Sequence, residues 1–300
     1  MNTFWSDTVQ SPEELNLSRA RRFREDNREQ WLEVLGAREQ MSALEVGCGP
    51  GLLCRRLKAW LPALQVTGLD RDSRHIAFAQ QQTKTEGQDC TFLEGDALAL
   101  PFADNRFDLC FSYTVMEHVE PHAFLREQRR VLKPGGRVVI LSVFPQLSLH
   151  GERWLPADGE ERALLDKAWA AAEKARQSLP TVCAYPQPPE TFGPLLAACG
   201  FREITLRFLV ETDAPDSADT SPERALAAFE EERFAALSSM EKALRLAPQG
   251  LTEAEQARLR ELIHRRFHRR VAAYRQGEKQ WELSSLTILA AAGRKDGGGT

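Results

Sequence analysis

The residues best placed for chemistry lie in the stretch 43–51, where a short apolar run ends in Gly47, Gly49 and Gly51. A helical apolar pattern follows at once, so the stretch predicts a strand, a tight turn and a helix. Glycines let the backbone bend sharply and let a ligand approach the main chain, and the N-terminus of the new helix favours an anionic group. The alternative is a plain tight connection between a strand and a helix.

Glu45 lies two residues before the first glycine, at the end of the predicted strand. A carboxylate at a buried position is costly unless it is paired. A ligand that carries both an ammonium and a carboxylate suits this place, because the ammonium can meet Glu45 and the carboxylate can meet the helix N-terminus. A pyrophosphate would be repelled by Glu45, which argues against a nicotinamide-dependent oxidoreductase.

Two further acids follow at the spacing of a βαβ unit. Asp70 ends the apolar run 64–69, 23 residues after Gly47, where an acid can accept hydrogen bonds from both hydroxyls of a ribose. Asp96 follows the predicted strand 91–94 and could accept from the exocyclic amine of an adenine. Each acid alone is typical of a solvated strand end, but together they predict a nucleoside site.

These motifs resemble the class I S-adenosylmethionine-dependent methyltransferases, and their order is similar to the branch that includes quinone-biosynthesis enzymes. The resemblance covers roughly residues 40–145 well and is thinner at 190–210 and 281–295. The matching segments are 44–51, 69–70, 95–97 with 100–102, 107–112 and 131–136.

The resemblance implies S-adenosyl-L-methionine as the cofactor, whose sulfonium methyl is transferred by in-line displacement to a nucleophilic O, N or C atom of a small-molecule acceptor. It implies an enzyme whose cofactor contacts are Glu45, Gly47, Cys48, Gly49, Gly51, Asp70, Arg71, Gly95, Asp96, Ala97, Ser112 and Tyr113.

The segment 112–118, which follows the fourth predicted strand, is expected beside the methyl group. It contains Glu117 and His118, an acid and an imidazole, and His118 is the candidate general base because histidine titrates near neutral pH. The alternative is that both residues only orient the loop. The candidate acceptor contacts are Glu117, His118, Trp154 and Tyr185, and from the N-terminal helices Trp5, Arg22 or Phe23 could also touch the ligand.

Alternating strand and helix patterns predict the elements that position these residues. They indicate an α/β fold, a doubly wound and mostly parallel seven-stranded sheet of the Rossmann-like type, with a helical insertion before the last strand. Ser73 is predicted to cap one helix, and the run 133–136 is predicted to end another. Strands are expected at about 42–46, 65–69, 91–94, 107–112, 137–143, 201–210 and, within 281–294, at 285–291.

The chain, 1–300, is interpreted as a single methyltransferase domain. Its parts are an N-terminal helical cover at 1–40, a cofactor-binding core at 41–145, a substrate cover at 146–190, a helical insertion at 211–280, a last strand at 281–294 and a disordered tail at 295–300.

The insertion has a marked charge pattern. Residues 211–257 carry 11 acids and 4 bases, whereas residues 258–275 carry seven arginines and one acid. An arginine-rich helix at 258–275 could bind RNA, which would make the protein an RNA-directed methyltransferase; the alternative is that the two halves pair with each other. The insertion could equally be a lid or a dimerisation arm, and the oligomeric state is left open.

Composition and charge narrow the possible functional classes of the protein further. The net charge of −4 disfavours a dedicated nucleic-acid binder. The N-terminus has no signal-peptide pattern and no apolar run is long enough for a membrane span, so a cytoplasmic protein is expected. The six cysteines lack zinc spacing, and the pair His264 and His268 has no third ligand, so no metal is expected. A non-catalytic protein that binds an adenosyl ligand remains the alternative to an enzyme.

Overall fold

The core of the fold is a seven-stranded sheet. A computed structural model describes residues 4–149, 157–177 and 182–297 of the chain. The strands lie in the order β3-β2-β1-β4-β5-β7-β6. Their bounds are β1 Ser42–Val46, β2 Gln65–Asp70, β3 Cys90–Glu94, β4 Phe107–Tyr113, β5 Leu132–Val143, β6 Phe201–Asp213 and β7 Ser284–Lys295.

The sheet is parallel from β3 through β5, and β7 runs antiparallel to β5. The central strand β1 is buried on both faces, as are β4 and most of β5, because parallel sheets carry helices on both sides. The sequences of these strands are apolar over most of their length, as burial on both faces requires. The doubly wound, mostly parallel seven-stranded fold is therefore confirmed, and the antiparallel last strand is a small deviation from it.

The helices connect the strands and cover the sheet. In the part of the chain that the structure describes, α3 and α4 pack against β2 and β3, α5 packs against β5, and α1 lies on α3 and α4. Their bounds are α1 Pro12–Ala20, α2 Arg28–Leu35, α3 Leu52–Trp60, α4 Ser73–Thr85, α5 Pro121–Val131, α6 Gly159–Arg176, α7 Phe192–Ala198, α8 Pro222–Leu246 and α9 Glu253–Arg275.

Two local predictions are wrong. Asp72, not Ser73, caps α4, because its carboxylate accepts from the N–H groups of Arg74 and His75. Helix α5 does end beside the run 133–136, at Val131, but the run is not a turn before the strand, since β5 already begins at Leu132 and its pairing with β4 shifts register between Leu132 and Arg137.

The chain divides into two compact units. The first consists of Met1–Phe144, Thr181–Leu209 and Ile288–Thr300, and the second of Pro145–Pro180 and Val210–Thr287. The second unit thus combines most of the predicted substrate cover, up to residue 180, with the predicted insertion, and α6, α8 and α9 share its core. The single-domain organisation stays a prediction, and the tail residues 298–300 lie outside the described residues.

The arginines of α9 are mostly paired within the second unit. Arg270 is fully buried and contacts the carboxylates of Asp216 and Glu282 at 2.7 Å and 2.6 Å. Arg258, Arg260, Arg265 and Arg266 also form ion pairs with acids of this unit. Five of the seven arginines at 258–275 therefore have carboxylate partners. Arg260 and Arg270 pair with the acidic half, at Glu241 and Asp216, whereas the other three pair with acids at 158–161.

Candidate cofactor site and active site

The glycine loop after β1 is held by its own N–H groups. Gly47 and Cys48 donate to the carbonyl of Leu69 at 2.7 Å and 3.0 Å, Gly49 donates to Asp70 Oδ2 at 2.8 Å, and Gly51 donates to the carbonyl of Cys48. The glycines at 47, 49 and 51 all have positive φ, between +53° and +74°. The loop therefore needs glycine for its conformation, while its N–H groups are already bonded within the protein.

Two of these glycines are also required by close packing. A Cβ at Gly51 would lie 2.4 Å from the ring of Phe92, and a Cβ at Gly47 would lie 2.4 Å from Val115. The loop thus fixes the start of α3 against β3 on one side and the segment after β4 on the other.

Asp70 closes the second strand and reaches across to the loop. Its Oδ2 accepts from Gly49, and its Oδ1 accepts from the N–H of Asp72 at 2.9 Å. Burial raises its pKa, and the nearby His75 opposes this shift. Asp96 is exposed and its Oδ1 accepts from the N–H of Leu98. Each carboxylate retains lone pairs for a ligand.

Glu45 is almost completely buried, with 3% of its surface exposed. Its Oε2 accepts a hydrogen bond from the thiol of Cys54 at 2.9 Å. Burial raises its pKa to about 7, and the Cys54 hydrogen bond and the charge of Arg19 partly oppose this shift. No ion pair joins Glu45 to a cation among the described residues, so its charge is poorly compensated.

These groups surround a cavity of about 230 Å³ at the carboxyl ends of the strands. Its wall includes the predicted residues Gly47, Gly49, Asp70, Arg71, Gly95, Asp96, Ala97, Tyr113 and His118. A smaller recess of about 20 Å³, also bordered by Gly47 and Gly49, reaches the predicted residues Glu45 and Cys48.

Several predicted residues are not part of either wall. Ser112 is fully buried, and Gly51 packs on Phe92 behind the loop. Glu117 lies beside the cavity rather than in its wall, and its carbonyl accepts from the N–H of Tyr185, whose own side chain is exposed. Trp154 lies outside the described residues.

The N-terminal segment supplies wall residues that the sequence reasoning missed. Gln10, Leu15 and Arg19 line the cavity, together with the predicted Trp5, whereas the predicted Phe23 lines only the recess. The capping box of Ser11 and Glu14 starts α1 and was visible in the sequence, but the face that α1 turns to the site was not.

Buried polar groups attach this segment to the core. The N–H of Ser6 donates to Asp72 Oδ2 at 2.8 Å, and the carbonyl of Gln10 lies 3.3 Å from His75 Nε2. Asp72 and His75 are 0% and 1% exposed. The residues that cap α4 therefore also hold the N-terminal cover over the cavity.

The segment after β4 places His118 at the edge of the cavity. Its Nδ1 lies 2.6 Å from the carbonyl of Val182, and because a carbonyl only accepts, Nδ1 must carry the proton. In the neutral ring Nε2 then has a free lone pair, 3.9 Å from Glu117 Oε1. The ring also contacts Trp5 edge-on, with centroids 4.7 Å apart. The ring therefore has Nε2, and not Nδ1, as the atom that can accept a proton.

Within residues 4–149, 157–177 and 182–297, no cluster of three metal-ligating side chains is found. No helix among these residues is long and apolar enough to cross a membrane.

Comparison with known proteins places this site in a family. Residues 44–140 match the model of the methyltransferase domain. A demethylmenaquinone methyltransferase from Thermus thermophilus is 32% identical over 167 residues, which are 53% of this chain and 73% of that protein. A norajmaline N-methyltransferase from Rauvolfia serpentina is 35% identical, over 35% of this chain and 37% of that protein.

Solved structures share the fold. The YcgJ protein of Bacillus subtilis superimposes with a TM-score of 0.51 at 16% identity, over 91% of this chain and 99% of the other. A Haemonchus contortus phosphoethanolamine N-methyltransferase has a TM-score of 0.53 at 19% identity, over 96% of this chain and 58% of the other.

The fold and the site together define a methyltransferase of the Rossmann-like type. The chain belongs to the class I S-adenosylmethionine-dependent methyltransferases, in the branch of the quinone-biosynthesis enzymes. It is an enzyme of methyl transfer, and S-adenosyl-L-methionine is its cofactor. The described residues fit this cofactor, because acids and the glycine loop line a cavity and a smaller recess that share Gly47 and Gly49.

We expect Gly51→Ala to destabilise the protein by about 3 kcal/mol, from overpacking against Phe92 plus the positive φ. Gly87→Ala is the matched control, because Gly87 also has a positive φ but has open space around it, so only about 1 kcal/mol should be lost. Urea unfolding measures both. Equal losses of stability in the two variants would mean that the close packing of Gly51 against Phe92 does not contribute.

Proposed function

We propose that this methyltransferase acts on a small-molecule acceptor, and that the cavity holds the cofactor in one orientation. Asp70 accepts from the ribose hydroxyls, Asp96 from the adenine amine, and the recess at Glu45 receives the ammonium of the amino-acid end. The observation that carries the proposal is the cavity itself, whose wall brings together Asp96, Asp70, Gly47 and His118.

The acceptor is proposed to enter at the end of the cavity formed by Trp5, Val115, His118 and Val119. The bound cofactor supplies an activated sulfonium methyl group. The chain then has to place a nucleophilic O, N or C atom in line with that methyl and keep water away. The apolar side chains here exclude water, and the loop after β4 determines the direction from which the acceptor approaches the methyl group.

His118 is proposed to take the proton that the acceptor loses. Its Nδ1 is held by the carbonyl of Val182, which leaves Nε2 as the basic atom. Glu117 Oε1 lies 3.9 Å from Nε2 and would stabilise the imidazolium that forms. A hydroxyl, an ammonium or an acidic carbon could each serve as the acceptor, since each must lose one proton.

An RNA acceptor is less well supported. Five of the seven arginines of 258–275 already contact carboxylates of their own unit. A role of the insertion 211–280 as a lid or dimerisation arm stays a prediction, as does a cytoplasmic location.

The proposal is tested by incubating the purified protein with methyl-labelled S-adenosylmethionine and a cell extract, then separating small molecules, RNA and protein. Label in the small-molecule fraction supports the proposal and gives a compound to identify. Label confined to RNA or protein would contradict it, as would cofactor binding without any transfer when extracts from several sources are used.

Asp70→Asn should weaken binding of S-adenosylhomocysteine by about 1–3 kcal/mol, because the ribose hydroxyls lose a charged acceptor. Glu94→Gln is the matched control, since Glu94 is the register partner of Asp70 at the end of β3 but is exposed and outside the cavity wall. Calorimetric titration measures both. Unchanged affinity in Asp70→Asn would count against the orientation.

His118→Asn should lower the rate of methyl transfer about 10²- to 10⁴-fold while leaving the affinity for S-adenosylhomocysteine unchanged, because only proton removal is lost. His122→Asn, a nearby exposed histidine in the first turn of α5, should keep the rate. The rate is measured with the small-molecule fraction that takes label. If the His118→Asn variant kept the full rate of methyl transfer, His118 would not be the base and would only orient the loop after β4.

A further inference from the structure

Arg19 has an unusual position for a cation. It is partly buried, and it lines both the main cavity and the recess that reaches Glu45. Its Nη2 donates to Thr114 Oγ1 at 2.6 Å, and its guanidinium lies 4.2 Å from the centre of the Tyr113 ring. Among the described residues it forms no ion pair with a carboxylate.

The backbone groups expected to bind an anion here are largely occupied. The N–H groups of Gly47, Cys48, Gly49 and Gly51 all donate to oxygens of the protein. Pro50 has no N–H, so the loop offers no free donor between residues 47 and 51. The first turn of α3, at Leu52 and Leu53, is the remaining backbone candidate at the recess.

We propose that Arg19 binds the carboxylate of the amino-acid end of S-adenosylmethionine. A guanidinium has two parallel N–H donors that match a carboxylate, and a partly buried cation without an ionic partner gains most from such a pair. The recess then presents a cation and an anion, Arg19 and Glu45, to a zwitterion that carries the opposite charges. Burial and the neighbouring Arg22 lower the pKa of Arg19 to about 10, and the charges of Glu45 and Glu117 only partly oppose this shift.

This contact also couples the cofactor to the N-terminal cover. Arg19 lies in the last turn of α1, so a carboxylate that binds Arg19 holds α1 over the site. The amino-acid end of the cofactor, rather than the nucleoside end, therefore closes the cover. The inference depends on the cofactor and on no particular acceptor.

The test compares two ligands. 5′-Methylthioadenosine retains the adenosine and the sulfur of S-adenosylhomocysteine but lacks the amino acid. Arg19→Gln should lower the affinity for S-adenosylhomocysteine about 10- to 100-fold and that for 5′-methylthioadenosine less than about 3-fold. Arg19→Lys should restore part of the loss, because the charge returns without the paired donors.

Arg22→Gln is the matched control. Arg22 donates to the hydroxyl of Tyr113 at 3.0 Å from the same segment, so its loss should leave the ratio of the two affinities unchanged. An equal loss for both ligands in Arg19→Gln would make Arg19 a packing residue and overturn the proposal. Unchanged affinities for both ligands in Arg19→Gln would indicate that the carboxylate of the cofactor binds the first turn of α3 instead, and would also overturn the proposal.

Hydrogen exchange on the wild-type protein gives a readout that needs no variant. S-Adenosylhomocysteine should slow exchange in residues 12–20 more than saturating 5′-methylthioadenosine does. Equal protection by both ligands would contradict the coupling. The binding and exchange measurements do not depend on the labelling experiment. A failure of the labelling experiment would concern only the identity of the acceptor.

Discussion

The site depends on one buried carboxylate. Glu45 is the penultimate residue of the interior strand β1, which is paired in register on both sides, so that Glu45 lies opposite Gly68 of β2 and Phe111 of β4. The backbone cannot move to carry this side chain to water without breaking both ladders. A carboxylate held in this way must be neutralised by a proton or by a cation, and the thiol of Cys54 supplies only a hydrogen bond. The buried carboxylate of Glu45 is therefore a preformed binding site for a positively charged group.

The surrounding groups follow from this constraint. The glycine loop turns directly after β1 and packs closely on both sides, since side chains at Gly47 or Gly51 would meet Val115 or Phe92. Tyr113 is buried, packs edge-on against Phe23 and has the Arg19 guanidinium over its ring. Arg19 and Glu45 both line the recess but form no ion pair with each other. Opposite charges that are desolvated without pairing are costly in the empty protein and favourable around a zwitterion.

The sequence predicted the parts of the site that depend on local chain geometry. The loop, Asp70 and Asp96 were found because a βαβ unit fixes the distance between successive strand ends. Ser112 was predicted as a contact, but neighbouring strand residues face opposite sides, so Tyr113 lines the cavity while Ser112 is not in its wall. Arg19 and His75 depend on which face a helix turns inward after folding, and local sequence does not determine that.

Thr114 shows a further limit of sequence reasoning. It is β-branched and yet has a φ of +55°, a conformation that few such residues adopt. The surrounding contacts enforce it: its N–H donates to Leu141, and its Oγ1 accepts from Arg19. Strain of this kind is common where a loop must present a group to a ligand.

Proton release on cofactor binding tests the central claim most directly. The pKa of Glu45 is about 7 in the free protein, so at pH 6 the carboxyl is mostly protonated, and an ammonium beside it must lower that pKa and expel the proton. Calorimetry of S-adenosylhomocysteine binding in buffers of different ionisation enthalpy should therefore show close to one proton released at pH 6 and close to none at pH 8, with the release absent in Glu45→Gln. Binding without proton release at pH 6, or the same release in Glu45→Gln, would contradict the account.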